Sequence, residues 1–112
     1  MKLDSISFLT AKLIEFRDER DWAQYHNAKD LALALSIEAA ELNELFLWKQ
    51  PEEVKVAKLK EELADVLCYC LLLAEKYQLD VKQIIEDKIT LNAQKYPVEK
   101  ARGTAKKYNE LD

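Results

Sequence analysis

Four carboxylates stand where a helical chain would ordinarily place apolar side chains. Glu38 and Glu41 are three residues apart, as are Glu62 and Asp65, and residues at that spacing are neighbours on one face of an α-helix. At about 100° per residue, Leu31, Ala34, Leu35, Leu42 and Leu45 fall within about 60° of Glu38, which puts the first acidic pair in the stripe expected to be buried. The second pair shares its stripe with Leu59, Val66, Tyr69, Leu72 and Leu73. A solvated face is the usual position of a helical Glu, and one pair alone would read that way. Two pairs in apolar stripes, with no Lys or Arg partner on the same faces, ask for a cation, because an unpaired carboxylate facing a core costs several kcal/mol.

The donor set selects the ion. Carboxylates without a nearby thiolate or imidazole form a hard oxygen site suited to Mg²⁺, with Mn²⁺ as a substitute, rather than to Zn²⁺. A di-iron bundle uses Glu-x-x-His pairs, whereas the sole histidine, His26, lies outside that spacing. Mg²⁺ held by carboxylates keeps positions open for water and substrate phosphates, so phosphate-ester or anhydride chemistry is expected, with nucleotides as the substrate class. A chain with one glycine has no Gly-rich phosphate loop, which leaves metal ions and cationic side chains to hold the phosphates. Lys88, Asn92 and Lys95 form a polar stripe at i, i+4 and i+7 that can serve this end, or can be an exposed helix face. Trp22 and Trp48 offer rings on which a base can stack, or core packing, and Trp48 falls on the same side of its predicted helix as Glu41. Tyr69, one turn beyond Asp65, can bond a sugar or phosphate or sit half-buried at a helix interface. His26 can meet a base edge or phosphate, although a lone loop histidine is more often exposed. Lys100, Arg102, Lys106 and Lys107 can close over an anion or form a solvated tail.

These residues are positioned by an all-α chain. The sequence has 112 residues, 49% hydrophobic, with one Gly and two Pro, which suits one helical domain over residues 1–112 and supplies little punctuation for hairpins. Ile6, Leu9, Leu13 and Phe16 predict a first amphipathic helix over residues 4–19, capped by Asp4 or Ser5. The aromatic segment from Arg20 to Lys29 loses the period and reads as a functional loop. Asn27 with Asp30 caps a second helix expected to run to about Lys49. Pro51 is expected to end it and start a third, reaching Tyr77. Asp80 with Gln83 resembles a capping box for a fourth, Val81 to Lys95, burying Val81, Ile84, Ile85 and Leu91 and stopped by Pro97. Residues 97–112 read as a polar tail. Four such helices bury little surface alone, so a four-helix bundle completed by oligomerisation is expected.

The charge is −4 with both signs interleaved, which leaves no basic face for a nucleic-acid polymer. The longest apolar run, Val66 to Ala74, is too short for a membrane span, and no signal core follows the N-terminus, so a soluble cytoplasmic protein is expected. Cys68 and Cys70 point in different directions on a helix and read as reduced packing residues.

The sequence resembles the MazG-like all-α nucleotide pyrophosphohydrolases, and among them the dCTP pyrophosphatase-like branch. The resemblance runs from Phe16-Arg17-Asp18-Glu19-Arg20-Asp21-Trp22 and Tyr25-His26 through Glu38-Ala39-Ala40-Glu41 and Leu45-Phe46-Leu47-Trp48. It continues in Glu61-Glu62-Leu63-Ala64-Asp65-Val66 with Tyr69, in Lys88, Asn92 and Lys95-Tyr96-Pro97, and in Lys106-Lys107-Tyr108. It implies Mg²⁺-dependent hydrolysis of a deoxynucleoside triphosphate, dCTP or a modified dCTP, to the monophosphate and pyrophosphate, a house-cleaning step on the nucleotide pool. dUTP or a damaged purine triphosphate is the alternative substrate, and a non-catalytic helical interaction module the alternative function. Under the resemblance Glu38, Glu41, Glu62 and Asp65 match the metal ligands and catalytic carboxylates. Trp22, His26, Trp48 and Tyr69 match positions around the nucleotide, Lys88, Asn92 and Lys95 lie near its phosphates, and a homodimer or homotetramer is expected. Two positions depart from the family pattern: Ile37 stands where the fuller motif has a first glutamate, and Leu13 where some relatives carry a substrate-contacting histidine.

Overall fold

The computed structural model describes residues 4–112, and among them every regular element is helical. In order these are α1 (Ser5–Glu19), α2 (Ala28–Glu44), α3 (Val56–Lys76), α4 (Val81–Lys95) and α5 (Val98–Ala101), with short 3₁₀ turns at Ala23–Tyr25, Pro51–Glu53 and Tyr108–Glu110. The chain divides between Leu79 and Asp80 into two compact units. No helix among the described residues is long and apolar enough to cross a membrane.

The helix starts follow from side chains that satisfy the orphan N–H groups of a first turn. The Ser7 N–H donates to Asp4 Oδ1 at 2.7 Å, the Asp30 N–H to Asn27 Oδ1 at 2.9 Å, and the Gln83 N–H to Asp80 Oδ1 at 3.0 Å. At Asn27 the exchange is reciprocal, its Nδ2 donating to Asp30 Oδ2 at 2.8 Å. At Asp80 only this forward half of the box is formed, and the Gln83 Nε2 donates to Asp87 Oδ1 at 2.8 Å.

Helix ends in a chain with one glycine need another residue to take positive φ. Asp21 and Gln78 both have φ 54°, and the residue after each closes the turn backwards. The Trp22 N–H reaches the Arg17 carbonyl at 3.1 Å, and the Leu79 N–H reaches that of Ala74 at 3.0 Å. Both are Schellman-type ends in which a non-glycine residue accepts about 1 kcal/mol of left-handed strain.

The first unit is a bundle in which α2 and α3 pack most extensively and α1 lies against α3. Its centre is Leu31, 1% exposed, with Leu72 and Ala74. Arg17 is also buried: Nη2 lies 2.9 Å from Asp18 Oδ1, and Nη1 lies 3.5 Å from Glu75 Oε2 on α3. Much apolar surface stays uncovered, including Leu33 and Ile37 on α2 and Leu63 and Leu67 on α3. In the second unit α4 buries no residue, and Ile84, Ile85 and Leu91 are exposed rather than core. The stretch read as a polar tail there folds into α5 and the 3₁₀ turn, where the Tyr96 and Tyr108 rings meet edge to face at 6.3 Å.

Two predicted boundaries move. α2 ends at Glu44 rather than near Lys49, because the next N–H groups bond three residues back: Leu45 to Leu42, Phe46 to Asn43 and Leu47 to Glu44. Trp48 then takes φ 62°, and Gln50 is extended, as a residue before proline prefers. Trp48 is therefore not on the Glu41 face of a helix; it is 93% exposed. Pro51 opens a 3₁₀ turn, and α3 begins only at Val56.

Candidate metal centre and adjoining pocket

The two acidic motifs meet because α2 and α3 pack side by side. Glu38, Glu41 and Glu62 each bring a carboxylate oxygen within 4.8 Å of the others. Glu38 and Glu62 are half-buried, and each leaves Oε2 buried with no hydrogen-bond partner. Burial, a side-chain hydrogen bond with Glu41 and the neighbouring negative charges push the Glu38 carboxyl up to about 6. Burial first, then the charges of Glu41 and Asp65, raise Glu62 as well. Asp65 lies outside the trio itself, yet its charge bears on both glutamates.

Two carboxyls raised by burial and by neighbouring charge, each leaving an oxygen without a donor, are an arrangement a cation completes. The donors are all carboxylate oxygens, with no thiolate or imidazole among them, so the residues fit a hard divalent ion of the Mg²⁺ or Mn²⁺ type.

Beside Asp65 opens a cavity of about 370 Å³ in the first unit. Leu13, Phe16 and Arg17 come from α1, Trp22 and His26 from the loop, and Asp65, Cys68, Tyr69 and Leu72 from α3. Its size suits a small organic ligand, and its mostly apolar wall with a few polar groups is the usual make-up of such a site. The loop earns its aromatics here: after the Asp21 turn, Trp22 lies edge to face against Phe16, with ring centroids 5.8 Å apart and planes at 74°. His26 Nδ1 is buried without a hydrogen-bond partner. Burial, followed by the charges of Arg17 and Lys76, lowers its pKa and favours neutral imidazole. The Tyr69 hydroxyl is raised by burial and then by the charges of Glu38 and Asp65, so a pocket wall and the acidic trio share one electrostatic environment.

Residues 33–111 match the MazG-like family. The chain belongs to that family. It is 44% identical over 105 residues to mouse dCTP pyrophosphatase 1 and 41% identical over 105 residues to the human protein of that name, the match covering 87% of this chain in both cases. This MazG-like chain spans 62% of the length of those two relatives. A solved pyrophosphatase from Archaeoglobus fulgidus is also similar, with a TM-score of 0.79 and 36% identity over 87% of this chain and 96% of the other.

Of the site residues expected from sequence, the MazG-like fold brings Glu38, Glu41 and Glu62 together and puts Asp65, Tyr69, Trp22 and His26 around the adjoining cavity. Trp48 does not line it. Lys88, Asn92 and Lys95 are exposed on α4 in the second unit, where the Lys95 ammonium sits 5.0 Å over the Tyr108 ring.

Sequence reasoning passed over Arg17 and Cys68 as pocket residues, although the signal was present. Leu13, Phe16 and Arg17 stand at i, i+3 and i+4, and Asp65, Cys68, Tyr69 and Leu72 continue one α3 face by the same rule. The Cys68 thiol is pushed up by burial and the Asp65 charge, which suits a packing thiol rather than a nucleophile.

Proposed function

We propose that this chain is a Mg²⁺-dependent nucleoside triphosphate pyrophosphohydrolase acting on dCTP or a modified dCTP. The observation that carries the reading is the trio of Glu38, Glu41 and Glu62, each of which brings a carboxylate oxygen within 4.8 Å of the others, while Glu38 and Glu62 each leave Oε2 buried and unpartnered. The similarity to dCTP pyrophosphatase 1 supports the substrate.

Glu38, Glu41 and Glu62, with Asp65 beside them, would hold the divalent ion. When bound, that ion supplies charge neutralisation to the triphosphate and lowers the pKa of a water. Phe16 and Trp22 form the aromatic wall for the base, and His26 and Tyr69 supply polar atoms at its edges. Water attacks the α-phosphorus in line, the bond from that phosphorus to the bridging oxygen breaks, and pyrophosphate leaves. A carboxylate of the cluster takes the proton from the water.

The large apolar residues left exposed on α2 and α3, among them Leu33, Ile37, Leu63 and Leu67, support assembly into a homodimer or homotetramer, which would cover them. Trp48, exposed and outside the pocket, contributes to base recognition only within such an assembly.

The test incubates the purified chain with Mg²⁺ and a panel of nucleoside triphosphates, separating the products by anion exchange. Monophosphate and pyrophosphate from dCTP, abolished by EDTA and by Glu62→Gln, are expected. Faster turnover of dUTP or a damaged purine triphosphate reassigns the substrate, and no turnover of any member overturns the reading.

A further inference from the structure

Arg20 does not line the cavity, yet it grips the residue that shapes the cavity's aromatic wall. Its guanidinium carbon lies 3.7 Å from the centroid of the Phe16 ring, and its Nη1 donates to the Phe16 carbonyl at 2.9 Å. One side chain thus holds both the ring and the backbone of Phe16. Phe16 in turn meets Trp22 edge to face, and both rings line the pocket. The contact between Arg20 Nη1 and Glu19, at 3.9 Å between exposed side chains, is too loose to compete.

We propose that Arg20 is a positioning residue: stacked on Phe16, it fixes the Phe16–Trp22 pair and so the surface presented to the nucleotide base. The chemistry favours arginine, whose planar guanidinium stacks on a ring while its N–H groups remain free to reach a carbonyl. The pair needs this support because Phe16 and Trp22 are each 44% exposed, so burial alone leaves their rings room to move. A helix-capping role is also served, since Arg20 is the C-cap of α1 and its cation meets the Phe16 carbonyl at the helix end. Capping by itself predicts lost stability without any change at Trp22. The proposal rests on the pyrophosphohydrolase reading for its kinetic consequence and on Trp22 alone for its structural one.

The experiment compares Arg20→Met and Arg20→Lys in the full chain. KM and kcat for dCTP with Mg²⁺ are measured, together with acrylamide quenching of Trp22 in a Trp48→Phe background that leaves one tryptophan. Arg20→Met is expected to raise KM by about 2- to 5-fold with kcat within about 2-fold, the size of one exposed cation–π contact. Trp22 quenching should increase in step, and Arg20→Lys should recover part of both effects. Unchanged KM and quenching, or a lower thermal midpoint without either change, overturns the proposal. If the wild-type chain hydrolyses no triphosphate, the functional reading falls separately. Quenching of Trp22 then decides alone, an increase in Arg20→Met supporting the brace and no increase overturning it.

Discussion

Glu38 on α2 and Glu62 on α3 face the same small space, and each keeps one carboxylate oxygen buried without a donor. Two such oxygens are a standing cost that a bound cation removes, so the metal-free protein is expected to gain stability on adding Mg²⁺. At roughly five times the dissociation constant the gain is about 1 kcal/mol, or roughly 4 °C in Tm. Glu62→Gln should abolish the shift in a thermal melt. A variant that keeps it would show that the ion binds elsewhere.

The same crowding gives a pH signature in the absence of metal. Glu38 titrates at about 6 in the folded protein, against the ordinary 4.5. A carboxyl with a raised folded pKa contributes stability that is fully present below the unfolded value and lost as pH rises through the folded one. Glu38→Gln cannot titrate at that position. Its Tm should therefore gain on that of the wild type between about pH 4.5 and 6 and stay ahead above. Mg²⁺ should reverse the order, because binding needs the charged carboxylates. Melts of both proteins from pH 4 to 8 check the sign, and a constant gap across that range would refute it.

His26 runs the other way. Its pKa is lowered by burial and by the Arg17 and Lys76 charges, so protonation favours the unfolded chain. Stability from neutral His26 is present above its unfolded pKa and is lost as pH falls through the folded value. The buried Nδ1 then has a further consequence: a nucleotide that gives it a hydrogen bond should shift the histidine resonances seen by NMR titration. His26→Phe should keep the pocket apolar while raising KM for dCTP by roughly tenfold, the value of one polar contact of about 1.4 kcal/mol. An unchanged KM would place His26 outside substrate recognition.

How much of this was legible in the sequence depended on the range of the signal. The caps at Asp4, Asn27 and Asp80 are local hydrogen bonds within four residues, and the acidic stripes follow from helical period alone, so both were readable. The end of α2 was not. Leu45, Phe46 and Leu47 continue an apolar run that sounds helical, but i−3 bonding ends the helix at Glu44 and Trp48, four residues on, turns left-handed. Periodicity does not see a choice made by two or three backbone bonds. The burial of Arg17, unlike its place on the pocket face of α1, was hidden for another reason: its partner Glu75 lies on a different helix, and only tertiary packing brings a charge that deep.

That ion pair predicts a non-additive result. Arg17 has two carboxylate partners, Asp18 on its own helix and Glu75 on α3, and its side chain is 11% exposed. Removing either partner leaves the guanidinium still paired, so Asp18→Asn or Glu75→Gln alone should cost about 1 kcal/mol or less. Removing both strands a buried charge. The double variant should exceed the sum of the singles by about 1–2 kcal/mol in urea denaturation. Strict additivity would mean that water already reaches Arg17.

The uncovered apolar faces yield the last expectation. Ile37 on α2 is 59% exposed and Leu67 on α3 is 54% exposed, and neither touches the cavity wall. If a second copy covers them, a charge at either place is buried on assembly and costs several kcal/mol of association free energy, while the separate chain tolerates it in water. Ile37→Asp and Leu67→Asp should therefore elute as monomers in light-scattering chromatography at concentrations where the wild type is a dimer or tetramer, with helix content kept in circular dichroism. Their Mg²⁺ shift should survive, because Glu38, Glu41 and Glu62 meet within one chain. A wild type that is monomeric at high concentration would leave these faces to another partner and remove assembly from the proposal.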